Sequence, residues 1–412
     1  MSSTKIQVGI GFITGRKTFS DVVGAYINAW KSNSSGEECP IEVNLFVVTD
    51  FQYTDTTEED YIIRDKNVLN SINKIYYLDK EVIDREVKYL LKDVLDSEEE
   101  AALIFGDGYA KMRNQILYFA KKENMDYLIF FDDDEYPLAC LKEGEHLLWA
   151  GQDPISTHVK HLQSSDMTNG FHCGYISPIP KIEYNDVFRE EDFKNLIESV
   201  SNDILSWDSV KEVLEQDGIT YAQREKLNIY SEKEVMEANG MKFISGGNLG
   251  FNLDSIHTLF PFYNPPGARG EDTFLSTCLQ DITLFKIPLY TFHDGFLFYP
   301  NILKGALPIE FPHAIKSSNQ MISRFRKALI GWIRYKPLFL FITQRDSYDE
   351  EISKIYSSLE SILPKLCKYF DDDRFYTMLS ELNYYNEHVE EHFEDFNNTK
   401  NVWQKLMHYL DS

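Results

Sequence analysis

The sequence predicts an α/β protein, a mostly parallel sheet flanked by helices, with an acidic helical insertion at about 181–240 and a helical C-terminal region over 313–412. Three observations predict it. Between residues 5 and 140, short apolar runs alternate with helical stretches, the pattern of βαβ units. The run Tyr127-Leu128-Ile129-Phe130-Phe131 is apolar at every position, as a central strand covered on both faces must be. After Pro312 the pattern is almost wholly helical to Ser412.

In chain order, residues 6–13 read as a first strand, broken by Gly9 and Gly11, and 21–30 as a helix. Strands are expected at 42–49, 74–77 and 127–131, with a helix over 109–121 between the last two. Residues 181–240 hold 15 Asp/Glu against 7 Lys/Arg in long polar helices, a solvated excursion, a lid or a partner surface. Glycine-rich, strand-like sequence returns at 241–253, and another strand is expected at 284–292. The division expected is 1–312 for the α/β domain and 313–412 for the helical region.

With 412 residues and 43% hydrophobic content the chain can bury a large core. Its 66 acidic against 41 basic residues, a net charge of −25, exclude a nucleic-acid wrapper, because phosphate binding needs a broad basic surface. Five scattered cysteines with no CxxC pair indicate neither a disulfide framework nor a thiolate zinc site and suit a cytoplasmic setting. No signal peptide is recognised at the start, and the run 338–342 is far short of the ~20 residues that cross a bilayer.

Asp132-Asp133-Asp134-Glu135 follows the central apolar run directly. Alternation along a strand end lets Asp132 and Asp134 converge, and two converging carboxylates are expensive without a cation. They are natural ligands for Mg²⁺ or Mn²⁺, which leave open positions for phosphate oxygens. A helix cap or solvated turn is the plain alternative. A calcium loop fails because Pro137 stands where glycine is required. A haloacid dehalogenase-type phosphatase stays open, although Tyr136 replaces its threonine.

Arg113-Asn114-Gln115-Ile116-Leu117 with Ala120, then Asp126 through the apolar run to Asp134, resembles the donor-site core of GT-A fold glycosyltransferases. A second block, Gly246-Gly247-Asn248-Leu249-Gly250-Phe251 followed by Gly270-Glu271-Asp272-Thr273-Phe274-Leu275, resembles the acceptor-side motifs of the same family. The likeness covers residues 6–293 and implies a GT-A, Rossmann-like domain. It implies a metal-dependent hexosyltransferase, with Mn²⁺ or Mg²⁺ as cofactor and a nucleotide sugar, UDP-sugar favoured, as donor.

Under that resemblance Asp132 and Asp134 hold the metal, with His293 as third ligand. Thr14, Arg16, Asp50, Arg113, Asp132, Asp133, Gly247 and Asn248 meet the nucleotide diphosphate. Asp272 is the general base of an inverting reaction, with Glu271 able to trade places with it. Each has a plainer reading: a loop carboxylate for Asp50, a salt bridge for Arg113, a helix start for Glu271 and Asp272, a structural histidine for His293. His158, His161, His172 and Cys173 match no closed zinc spacing.

Seven basic residues and no acid lie between Glu310 and Asp346. With Ile322, Phe325, Leu329, Trp332 and Ile333 at helical spacing, segment 314–345 is either a peripheral contact with an anionic inner membrane face or a core helix paired with the acidic remainder. The expected partners are the donor and a saccharide, protein or lipid-linked acceptor. The residues also leave room for a nucleotidyltransferase. A non-enzymatic acidic interaction protein would account for the insertion and the tail, but gives no reason for the ordered motif blocks.

Overall fold

The computed structural model describes residues 5–33, 40–51, 54–175, 178–202, 205–227, 232–255, 261–299, 301–311 and 318–412. Cys39, Lys316 and the expected boundary at 312/313 lie outside them. Three strands, β1 (Ile6–Thr14), β2 (Ile41–Thr49) and β3 (Lys74–Tyr77), run parallel, as does β4 (Tyr127–Phe130) on the other side of β1. The chain continues through β5 (Glu135–Tyr136), a hairpin of β6 (Leu138–Glu143) and β7 (His146–Gly151), then β8 (Met167–Tyr175), β9 (Lys233–Glu234), β10 (Leu249–Asn252) and β11 (Leu284–Asp294).

The main sheet has the order β3-β2-β1-β4-β10-β8-β11-β5, with β9 attached to β11. It is mixed, which corrects the expectation of a mostly parallel sheet. β10 is antiparallel to both β4 and β8, and β11 is antiparallel to β5 and β9. Hydrophobic runs carry no sign of direction, so the reversal at β10 was invisible in the pattern. The strand expected over 241–253 is also shorter than read. Ser245, Gly246 and Gly247 form a turn, and Asn248 takes a left-handed φ of 51° before β10 begins.

Alternation along the central strands feeds two cores. Val43, Leu45 and Val47 face one with Ile129 and Phe131, while Phe46 and Val48 face the other with Leu128 and Phe130. The helix Tyr109–Lys122 lies over the second face. A Cβ on Gly11 would stand 2.8 Å from Ile116 and 2.9 Å from Phe130, so this glycine serves close helix–sheet packing.

The C-terminal helices Asn319–Thr343, Tyr348–Phe370, Thr377–Glu387 and Val389–Leu410 form one core with the insertion and also pack against the α/β body. Val402, Trp403, Leu406 and Met407 share a cluster with Ile104, Leu117 and Tyr118 of the α/β body. The insertion helix Glu190–Val200 buries Phe193, Leu196 and Ile197 against Phe325, Leu329 and Ile333. The insertion is thus a packed wall with one solvated face, rather than a free excursion. Phe325, Leu329 and Ile333 are fully buried, so the apolar face considered for membrane contact is committed to the interior. Arg326 pairs with Asp372 and Arg334 with Glu381, as a core helix requires. No described helix is long and apolar enough to cross a membrane.

Candidate active site

β2 and β3 lie to one side of β1 and β4 to the other, so the chain changes winding direction between β1 and β4. A crevice at the carboxyl ends of strands is expected at such a point. The residues that follow these two strands meet there. Thr14, at the end of β1, donates its hydroxyl to Asp133 Oδ2 at 2.8 Å, and the Gly15 amide adds a bond of 3.2 Å. Arg16 reaches Asp133 Oδ1 at 3.1 Å through Nε and Asp134 Oδ2 at 2.6 Å through Nη2. Asp50 lies beside this turn, its amide donating to the Thr14 carbonyl at 2.7 Å.

A second guanidinium enters from the helix Tyr109–Lys122. Arg113 is buried, 3.2 Å from Asp132 Oδ1 and 3.6 Å from Glu271 Oε1, and packs over the rings of Phe130 and Phe262. Its Nε has no hydrogen-bond partner. Burial works against its charge, but Asp132, Glu271 and Asp272 raise its pKa further. Arg113 thus makes the ion pairs of its plainer reading, with Asp132 and Glu271.

The three triplet carboxyls are held differently. Burial pushes Asp132 up to about 7, with Glu135, Asp134 and Asp133 adding repulsion and Arg113 opposing. Burial and Asp134 push Asp133 up to about 6. Burial also acts on Asp134, but His293, Arg16 and Arg324 override it and hold that carboxyl well below its usual range.

His293 Nε2 lies 3.5 Å from Asp134 Oδ2, and its Nδ1 meets the Tyr175 carbonyl. Burial disfavours its charge, but Asp134, then Glu135, raise it to about 9. Asp134 and His293 therefore face each other as a carboxylate and an imidazolium, and the imidazole would have to give up its proton before Nε2 could join Asp134 in holding Mn²⁺ or Mg²⁺. Asp132 is turned to Arg113 instead, and among the described residues no group of three or more His, Cys, Asp or Glu is gathered for a metal ion. Of the three expected ligands, Asp134 and His293 face each other and Asp132 faces Arg113.

The turn before β10 closes the site from the other side. A Cβ on Gly247 would lie 2.8 Å from Glu135 Oε1 and 2.9 Å from Asp132 Oδ2, so only glycine lets the chain pass these carboxylates. Asn248 is fully buried, its Oδ1 2.9 Å from His158 Nε2 and its Nδ2 donating to the Phe171 carbonyl. It fixes the turn rather than facing the cavity. Gly246 donates its amide to Asp272 Oδ2 at 3.1 Å, and Thr273 donates to Oδ1 at 2.8 Å. Burial, then Glu271, push Asp272 up to about 6 against these bonds. Glu271 and Asp272 open the helix Glu271–Ser276, so the helix-start reading of the motif holds alongside its place in the site.

Arg16, Arg113, the triplet, Glu271, Asp272 and His293 line one cavity of about 940 Å³. The insertion supplies part of its wall through Leu205, Val210 and Val213, and the C-terminal region adds Arg324 and Tyr335. The sequence singled out Arg324 only as a basic surface residue. Glu135 and His172 were not assigned to the site either. They form a buried pair at 2.9 Å, and His172 Nε2 continues to Ser245 Oγ at 2.8 Å. Glu135 was legible as the fourth acid of the run; His172 and Arg324 reach the site only through tertiary packing. His158 bonds Thr168 and Asn248, and His161 pairs with Glu232, so the histidines weighed for zinc are engaged separately. No protein-family model matches the chain, and no curated protein matches it.

Proposed function

We propose that this protein is a glycosyltransferase that moves a sugar from a nucleotide diphosphate sugar to an acceptor hydroxyl. One observation carries the reading: two guanidinium groups from separate elements meet an acidic triplet at the β1/β4 crevice, and the cavity beyond it reaches a carboxylate of raised pKa. A diphosphate needs cationic donors, and the acceptor hydroxyl needs a base near neutrality. Both stand in one cavity.

Arg16 and Arg113 orient the donor phosphates. Asp134 and His293 would hold a Mn²⁺ or Mg²⁺ ion, which supplies positive charge to the departing nucleoside diphosphate. Asp272 takes the proton from the acceptor hydroxyl as its oxygen bonds to the anomeric carbon and the bond from that carbon to the diphosphate breaks. A single displacement of this kind inverts the anomeric configuration. Its position beside the two Gly246 and Thr273 amides fixes the carboxylate's direction. UDP is the favoured nucleotide, and a cytoplasmic enzyme goes with the reading.

Calorimetry with UDP, with and without Mn²⁺, tests it. Binding strengthened by Mn²⁺ is expected in the wild type and should be lost in Asp134→Ala. If no nucleoside diphosphate binds under either condition, the transferase reading fails, and release of phosphate from sugar phosphates would then favour the phosphatase.

A further inference from the structure

Where β8 and β11 line the cavity, its wall is basic. Lys226 Nζ lies 4.7 Å and Lys286 Nζ 4.9 Å from the centroid of one ring, that of Phe171. Phe171 in turn stacks on Tyr290 at 5.2 Å, and Lys226, Phe171 and Tyr290 all face the cavity. Lys286 donates to Asn169 Oδ1 at 2.7 Å, and Lys233 stands opposite it across the antiparallel β9–β11 pair.

Three lysines are thus gathered, and like charges directly opposite in a ladder destabilise it. The two glutamates flanking Lys233 are engaged elsewhere, Glu232 with His161 at 3.0 Å and Glu234 with Lys242 at 3.9 Å, and Glu225, which lies near Tyr290, forms no ion pair with these lysines. Among the described residues no ion pair joins an acid to Lys226, Lys233 or Lys286. Burial, then Lys226, push Lys286 down to about 7, the expected result of a cation held near a like charge without a counter-ion. In a chain of net charge −25, carboxylates to neutralise the cluster were plentiful, so its isolation is informative.

We propose that Lys226, which faces the cavity, with Lys286 behind it against the same Phe171 ring, forms a subsite for an oxyanion group, a carboxylate or a phosphate, carried by the molecule that occupies the cavity. An acidic saccharide acceptor has this chemistry. The subsite goes beyond the transferase reading and rests on contacts of its own, since neither lysine belongs to the donor machinery described above.

Calorimetry with three probes tests it: methyl glucuronide, glucose 6-phosphate, and neutral methyl glucoside. At least one anionic probe should bind ten-fold or more tightly than the neutral one, and which of the two does so separates carboxylate from phosphate. Lys226→Ala should abolish that preference, as should Lys286→Met, while UDP affinity stays unchanged in both. Lys286→Met should also raise Tm without ligand, because it removes a buried ammonium. The partly exposed Lys226 carries the test if the Lys286 variant does not fold. Equal binding of all three probes, no binding of either anionic probe, or a preference that survives Lys226→Ala overturns the proposal. Loss of UDP affinity in the lysine variants also overturns it, by placing the cluster in the donor site. If UDP fails to bind the wild type while the anionic preference holds, the subsite stands and the transferase reading alone falls.

Discussion

Asp272 accepts one backbone N–H on each carboxylate oxygen, yet burial and Glu271 hold its pKa near 6. Those opposing influences make it a base that is ionised at neutral pH and still basic enough to take a proton. Asp272→Asn should lower turnover by at least ~10² while UDP affinity holds, because the amide cannot accept the acceptor's proton. The sign of the pH dependence follows: wild-type turnover should rise as pH passes through about 6, falling ~10-fold per unit below it, as the base is protonated. A raised carboxyl has the opposite effect on stability. Its contribution is complete below the unfolded value and is lost as pH rises through the folded one, so this group gains function where it costs stability. Arg113 presents the complementary case. Arg113→Met leaves Asp132 and Glu271 without their buried partner, and a loss of about 3–5 kcal/mol in urea unfolding is expected, with weakened UDP binding.

Among elements, the turn before β10 passes closest to the acidic run, at Gly247. Gly247→Ala would press a methyl group against the Glu135 and Asp132 carboxylates, so UDP affinity should drop at least ~10-fold with smaller loss of stability. Calorimetry beside a melting curve separates the two effects. The helix Asn319–Thr343 makes a different prediction. Its apolar face is buried and Arg326 sits 3.6 Å from Asp372, so reversing Arg324, Arg326 and Lys327 to Glu should lower Tm sharply. Wild-type protein should show no salt-sensitive pelleting with anionic vesicles; such pelleting would restore the membrane reading.

At the scale of the whole molecule, the α/β body and the helical regions hold each other's cores. Trp403 is 1% exposed and packs in the cluster that contains Leu117 and Tyr118. Trp403→Ala is expected to cost about 3–5 kcal/mol, measured by denaturant titration, despite lying outside residues 1–312. A fragment ending at residue 311 should lack a cooperative melt, since it also strips Phe325, Leu329 and Ile333 from the insertion helix. The C-terminal helices are thus tied to the α/β body through the cluster that holds Trp403 and Leu117.

Local pattern by itself determined the parts of this protein that local chemistry controls. The strands at 74–77 and 127–130 and the helix from 109 could be read because each buries one or two defined faces, which fixes residue spacing. Asp132, Asp133 and Asp134 were legible because an acid run at the end of a buried strand has few structural uses. Arg113 was placed by the motif it opens. Direction and partnership were decided only in three dimensions. β10 runs against β4 because the Gly246–Asn248 turn sends the chain back, and a strand's apolar face is the same in either direction. Asp132 and Asp134, expected to share one cation, have different protein partners, Arg113 for the first and Arg16 and His293 for the second. Arg324, His172 and Lys226 reach the cavity from distant elements, and sequence spacing holds no record of such a meeting. Periodicity records which face of a segment is buried; the charges that face one another across the fold are set by how those segments pack.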